Sequence, residues 1–293
     1  MRMRRKKNLD SRLEECSPVW VRPKIGSPVD WSGIFGNDHP LQLEIGCGKG
    51  QFIRALAKRE PNVNFVALEK QENVIITAME GVINDGIPNI RFLCLNAELV
   101  EELFAHTEVD RIYLNFSCPF PKTRYAKHRL TYRNFLRGYA KILKPYGEIH
   151  FKTDNRLFFE FSLNEFCHED FKLKNITFDL HNSGFDGNIV TEYEQRFSEM
   201  GQPIYRLEAV CIPERTAVGG EERDRKEELD GILTRFSESG WDLIALPAKA
   251  WLDGMEDKDA LLAAVAQADE ECGSCGCAFD PLYKKAAALL NQL

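Results

Sequence analysis

Along the first half of the chain, short apolar runs alternate with stretches in which apolar positions recur every three or four residues. Residues 41–45, 65–68, 90–95, 111–116 and 148–152 read as strands, and 52–59, 73–83, 98–105 and 132–143 as helices. This alternation, punctuated by Gly, Pro and Asn, predicts βαβ units and so an α/β, Rossmann-like, doubly wound and mostly parallel sheet. Beyond a Phe-rich helix at 156–167, residues 176–180 and 204–212 read as two closing strands, flanking a loop and a short helix that starts at Thr191. The pattern then becomes helical at 226–236, 259–271 and 281–293. The predicted organisation is a domain over 1–213, a linker over 214–224 and a small helical C-terminal domain over 225–293. Ligands of such sheets sit at the carboxyl ends of the strands, which is where chemistry is expected.

Composition narrows this picture. With 44% hydrophobic and 28% charged residues and no apolar run near 20 residues, the chain reads as a globular protein without a membrane partner. The basic start, MRMRRKK, is followed by a polar stretch and not by the apolar core of a signal peptide, so a cytoplasmic location is expected, with the nine cysteines reduced. Charge is segregated. From 214 onward there are 9 Lys and Arg against 17 Asp and Glu, while the rest is nearly neutral. Within that neutral body, residues 122–144 hold eight Lys and Arg and no Asp or Glu, a stripe suited to a polyanion.

The first strand runs into Glu44-Ile45-Gly46-Cys47-Gly48-Lys49-Gly50. The G-x-G-x-G spacing departs from the G-x-G-x-x-G of dinucleotide enzymes, since Gln51 stands where the third glycine would fall. Glu69 ends the second strand, suiting a ribose, and Asn96 ends the third, suiting an adenine edge. Glu44 suits an ammonium or sulfonium better than a pyrophosphate. Together, Glu44, Gly46, Gly48, Glu69 and Asn96 imply an adenosine-bearing cation, S-adenosyl-L-methionine.

Over residues 1–212 the chain resembles the bacterial tRNA (guanine-N7)-methyltransferases, which act on guanosine-46 of the tRNA variable loop. The resemblance rests on LEIGCGKGQFI (43–53), NFSCPFPKTRYAKHRLT (115–131), IHFKTDN (149–155), TEYEQRF (191–197) and GQPIYR (201–206). It implies a class I S-adenosylmethionine-dependent fold with a closing antiparallel strand, and tRNA as the partner, with no DNA expected. It also implies cofactor contacts at Glu44, Glu69 and Asn96, and substrate contacts at Lys122, Asp154, Thr191, Glu192, Tyr193 and Glu194. Arg124 and Arg129 are expected on tRNA phosphates, and Asp154 is the candidate catalytic carboxylate.

The proline loop departs from the family. Cys118 replaces an Asp, Phe120 a Trp, and His128 stands where Arg is common. The expectation is a neutral Cys118 thiol turned away from the line of attack, on a loop that lacks one acid. Two alternatives stay open: a catalytically attenuated or inactive tRNA-binding homologue, and a different N-methyltransferase. Thr191 and Glu194 also fit an ordinary capping box, and residues 153–155 an ordinary turn. In the tail, Cys272, Cys275 and Cys277 form C-x2-C-x-C. This is a metal-ligand pattern with no fourth ligand at motif spacing, a thiol-disulfide pair, or a turn of small residues between helices.

Overall fold

The computed structural model describes residues 5–255 and 257–292, with backbone only at Glu192 and 214–224. It divides into two compact units, Met1–Thr216 and Ala217–Leu293. The first is built on a seven-stranded sheet of order β3-β2-β1-β4-β5-β7-β6. Strands β1 (Leu41–Ile45), β2 (Asn64–Leu68), β3 (Ile90–Leu93), β4 (Val109–Asn115) and β5 (Leu143–Thr153) run parallel. Strand β7 (Tyr205–Val210) inserts antiparallel between β5 and the edge strand β6 (Lys172–Thr177). The order reverses between β1 and β4, which opens a crevice at their carboxyl ends.

Every residue of β1 and β2 is buried, as expected of parallel strands covered on both faces. Helices α3 (Gln51–Arg59) and α4 (Glu72–Asp85) cover one face, burying Phe52, Ile53 and Leu56 and, on α4, Ile75, Ile76 and Met79. Helices α6 (Arg133–Ile142) and α7 (Arg156–His168) cover the other through Leu136, Tyr139, Phe158, Phe159 and Phe166.

Several boundaries move. The strand expected at 176–180 lies earlier, at Lys172–Thr177, because this edge strand is mostly exposed and carries no apolar alternation; Ile176 and Phe178 stand out at 45% and 50% exposed. The helix expected at 98–105 shrinks to a 3-10 turn, Ala97–Leu99, and α5 (Val100–Leu103). Two N-terminal helices, α1 (Leu9–Glu15) and α2 (Trp31–Phe35), were not legible as periodic segments, since α1 shows only Leu9 and Leu13 as apolar contacts. Helix α8 (Glu192–Glu199) begins one residue after Thr191.

The second unit gathers α9 (Pro213–Ser237), α10 (Asp242–Leu252), α11 (Lys258–Cys272) and α12 (Asp280–Leu290) around its own core. The backbone of α9 is helical through 214–224. Leu229, Leu233, Phe236, Ile244, Val265 and Tyr283 are buried there. Trp251 is buried in that core, and Trp241 packs partly against it. Helix α10 was unforeseen because Pro247 sits inside it. Among the described residues, no helix is long and apolar enough to cross a membrane.

Candidate functional site

The turn after β1 carries Gly46, Gly48 and Gly50 at φ of 82°, 57° and 76°, a region that costs glycine little and other residues more. The Gly46 and Cys47 N–H groups both donate to the Leu68 carbonyl, at 2.7 and 3.0 Å, which ties the turn to the end of β2. The three glycines differ in what they face. A Cβ on Gly50 would lie 2.5 Å from the Ala78 Cβ on α4, whereas beyond Gly46 and Gly48 nothing lies within 4 Å. Gly50 is therefore a packing requirement, while Gly46 and Gly48 border open space.

Glu44 is 2% exposed beside that turn. Its Oε1 accepts a hydrogen bond from Asn115 Nδ2 at 3.0 Å, and its Oε2 is buried with no partner among the described residues. Burial pushes its pKa up to about 7, against the opposing pull of the Asn115 hydrogen bond and the Lys152 charge. A buried acceptor left unpaired costs about 1–3 kcal/mol, and a cationic N–H donor on a ligand relieves that cost.

Two adjoining recesses open here. A cleft of about 620 Å³ is lined by Gly46, Glu69, Asn96, Phe116, Cys118 and His128 among others. A second, of about 430 Å³, is lined by Glu44, Gly48, Asn115, Thr191, Tyr193 and Arg196 among others. The structure thus brings together Glu44, Gly46, Gly48, Glu69 and Asn96, each at a strand end. Glu69 Oε1 accepts from the Gln71 N–H at 3.0 Å, and Asn96 Nδ2 donates to Glu98 Oε2 at 2.7 Å.

The end of β5 forms the other wall. Thr191 Oγ1 accepts from the Glu194 N–H at 3.1 Å and caps α8. The Glu194 side chain does not reach back to complete a capping box, nor does it face the recess. It is fully buried, where Oε2 accepts from Lys152 Nζ at 2.8 Å and Oε1 from Asn188 Nδ2 at 2.5 Å, with His181 Nε2 3.2 Å away. Lys152 Nζ also donates to Asn188 Oδ1 and the Ile189 carbonyl. Burial lowers the Lys152 pKa, while Glu194 and then Glu44 pull it back. Glu194, expected on the substrate, is internal because the buried Lys152 near the end of β5 needs a buried counter-charge. The side chain of Glu192 lies outside the described residues. Tyr193 is 46% exposed, donates to Asp154 Oδ2 at 3.3 Å and packs on Phe116 and Phe197, at 5.0 and 4.5 Å between ring centroids.

The proline loop follows β4, with Phe116 and Phe120 both in the left-handed region. Cys118 is exposed on the rim of the larger cleft. Arg129, expected on a phosphate, serves this loop instead. It donates to the carbonyls of Pro119 and Phe120 at 2.9 and 3.0 Å, and its guanidinium lies 4.2 Å from the Phe161 ring centroid. The rest of the stripe is largely neutralised from elsewhere in the chain. Arg133 pairs with Glu165, Arg137 with Glu169, Lys141 with Glu101 and Lys144 with Asp110. Lys122, Arg124 and Lys127 remain exposed, and among the described residues none has an ion pair. Arg124 lies 4.8 Å over the Tyr125 ring. Sequence reasoning did not single out Lys152, Phe116 or Asn115. The available signal was a Lys between two buried residues near the end of β5.

Residues 38–207, more than half of the chain, match the family model described as "Putative methyltransferase". The tRNA (guanine-N(7)-)-methyltransferase of Brevibacillus brevis is 48% identical over 213 residues, which is 72% of this chain and 99% of that relative. The proteins of the same name from Geobacillus sp. and Streptococcus gordonii are 49% and 46% identical, over 64% and 72% of this chain and 86% and 99% of their own. The matched segment contains every residue named above as lining the two recesses. On identity of this extent, the chain belongs to the tRNA (guanine-N(7)-)-methyltransferase family.

Proposed function

We propose that this protein transfers a methyl group from S-adenosyl-L-methionine to N7 of a guanosine in tRNA, at position 46 of the variable loop, and that it does so in the cytoplasm. The observation that carries the reading is identity near one half along almost the full length of relatives bearing that name, running through the strand ends that build the cleft. The unpaired Glu44 Oε2 and the open space before Gly46 and Gly48 fit such a cofactor.

Glu44 would hold the cofactor's ammonium, Glu69 its ribose and Asn96 its adenine. When bound, the cofactor supplies an electrophilic methyl on a sulfonium. Guanine N7 carries an in-plane lone pair and no proton, so no general base is required. The protein's task is orientation, an effect worth roughly 7–11 kcal/mol in favourable cases. Tyr193, backed by Phe116 and Phe197, offers a ring on which the base stacks. Asp154, held by the Tyr193 hydroxyl, stands where it can offset positive charge developing on the purine. Lys122 and Arg124, together with Lys127, hold tRNA phosphates; Arg129 keeps the loop that carries them in shape. Glu194 and Lys152 fix α8, and with it Tyr193, against β5.

Unmodified tRNA incubated with methyl-tritiated cofactor, then cleaved by chemistry specific for 7-methylguanosine, tests the proposal. The expected result is label at one guanosine of the variable loop. Binding of tRNA without transfer, or label on an exocyclic amine, would overturn it.

A further inference from the structure

Cys272 ends α11, Cys275 and Cys277 lie in the turn that leads into α12, and Asp280 is the first residue of α12. One donor atom from each of these four residues lies within 4.8 Å of all the others. The Cys272 sulfur is 3.2 Å from that of Cys275 and 3.9 Å from that of Cys277, and Asp280 Oδ1 is 3.4 and 3.1 Å from the sulfurs of Cys275 and Cys277. We propose that these four residues, in the pattern C-x2-C-x-C-x2-D, form a tetrahedral site for a single zinc ion. The fourth ligand, missing at motif spacing among Cys and His, is a carboxylate at the first turn of the next helix.

Three observations support a built site. First, the spacing is close to that of ligands to one ion, with Cys272 and Cys277 at 3.9 Å and Cys272 and Cys275, at 3.2 Å, needing to part by about 0.6 Å. Thiolates about 2.3 Å from zinc stand roughly 3.8 Å apart at a tetrahedral angle. A polynuclear cluster would spread its ligands by its own width, and a disulfide would bring two sulfurs to about 2.05 Å. Second, the carboxylate is aimed. Asp280 Oδ2 accepts from the Gly276 N–H at 2.7 Å, which turns Oδ1 toward the sulfurs as an outer hydrogen bond orients a metal ligand. Gly276 supplies that N–H from φ 82°, within the left-handed region.

Third, among the described residues no cation is paired with the site's carboxylate. The other convergent donor group among the described residues, Glu148, His150 and Glu208, is neutralised by Arg111, Lys174 and Arg206. Among the described residues, Asp280 has no ion pair, and its carboxylate faces two thiols directly. A divalent ion supplies the missing charge, and its binding displaces the three thiol protons to solvent. With four protein ligands the site is closed to a substrate, so the ion's role is to tie the end of α11 to the start of α12.

The full-length chain, purified under reducing conditions without chelator, should carry one zinc per chain by plasma mass spectrometry. Its cobalt(II) form should show thiolate charge-transfer and tetrahedral ligand-field bands. Cys275→Ser, at an exposed position, and Asp280→Asn should each weaken zinc retention by at least about tenfold against a chromophoric chelator, with the helical content of the chain kept. The proposal is overturned by wild-type protein that holds no zinc and takes none from solution, by stoichiometric iron in its place, or by a Cys272–Cys275 disulfide in the freshly reduced chain.

Discussion

Two carboxylates near the crevice, Glu44 on its wall and Glu194 behind it, are equally withdrawn from water, yet they are satisfied in opposite ways. At the end of β1, Glu44 has one oxygen on Asn115 and, among the described residues, the other on nothing. On α8, Glu194 shares its two oxygens among Lys152, Asn188 and His181. Both are buried and both feel the Lys152 charge, but only Glu194 is in direct contact with that ammonium. The difference separates a group kept for a ligand from a group kept for the fold, and it extends outward. The cations of α6 are paired with Glu165, Glu169 and Glu101, whereas Lys122, Arg124 and Lys127 of the proline loop have no ion pair among the described residues.

The sharpest way to break this comparison is to treat Glu194 as if it faced a substrate. Glu194→Ala strands the Lys152 ammonium, and removing one partner of a buried pair costs about 3–5 kcal/mol. The expected outcome is a large fall in the urea midpoint and loss of activity through loss of α8. A variant of unchanged stability with only a raised KM for tRNA would make Glu194 a substrate residue after all.

Next in size is the charge that the open side lacks. Cys118 stands on the cleft rim where the family resemblance implies an acid, and one preorganised group at a reacting centre is worth about 10²–10³ in rate. Cys118→Asp is expected to raise kcat on unmodified tRNA toward that range, in single-turnover assays, with little change in stability because the position is exposed. No gain in rate would show that this loop needs no carboxylate.

The contrast also explains what could be read from the chain. Strand β2 was legible because burial on both faces writes an unbroken apolar run at 65–68, and β1 and β4 because their buried positions are mostly apolar. The edge strand β6 was displaced because exposure erases that signal, and α10 was hidden by Pro247. Residue types at strand ends pointed to Glu44, Glu69 and Asn96, since each follows a readable strand. Pairings over long separations were not legible. The stripe from Lys122 to Lys144 looks uniformly basic in sequence, and Glu165 and Glu169, each 32 residues beyond its arginine, quiet the part on α6. Asp280 escaped notice for a related reason, because a carboxylate at a helix start usually signals only the start.

Glu44 offers a pH test of its side of the comparison. Its pKa is raised to about 7 from the ordinary carboxylate range, so between that range and pH 7 the empty protein holds a proton that the unfolded chain has released. Its contribution to stability is therefore greatest at low pH and declines as pH rises through 7. Affinity for the cationic cofactor runs the other way. Below pH 7 the carboxyl must ionise before it pairs with an ammonium, which costs about tenfold in affinity per pH unit. Calorimetric titration of S-adenosylmethionine from pH 5.5 to 8 should show the dissociation constant falling to a plateau just above 7, with proton release on the acid side. Glu44→Gln should bind weakly at a level independent of pH; a retained pH dependence in that variant would assign the titration elsewhere.

The smallest effect separates open cations from paired ones. Each lysine or arginine on a phosphate adds roughly 0.7–0.9 to the slope of log affinity against log salt. Lys122→Gln and Arg124→Gln should each flatten that slope for tRNA by about one, with stability unchanged, because neither side chain has an ion pair among the described residues. Arg137→Gln, whose charge is occupied by Glu169, should leave the slope where it was and lower the melting temperature, since it uncovers a carboxylate that is only 4% exposed in its side chain. If Arg137→Gln flattened the slope as much as the loop variants, the pairing seen within the chain would give way when tRNA binds, and the whole stripe would belong to the substrate.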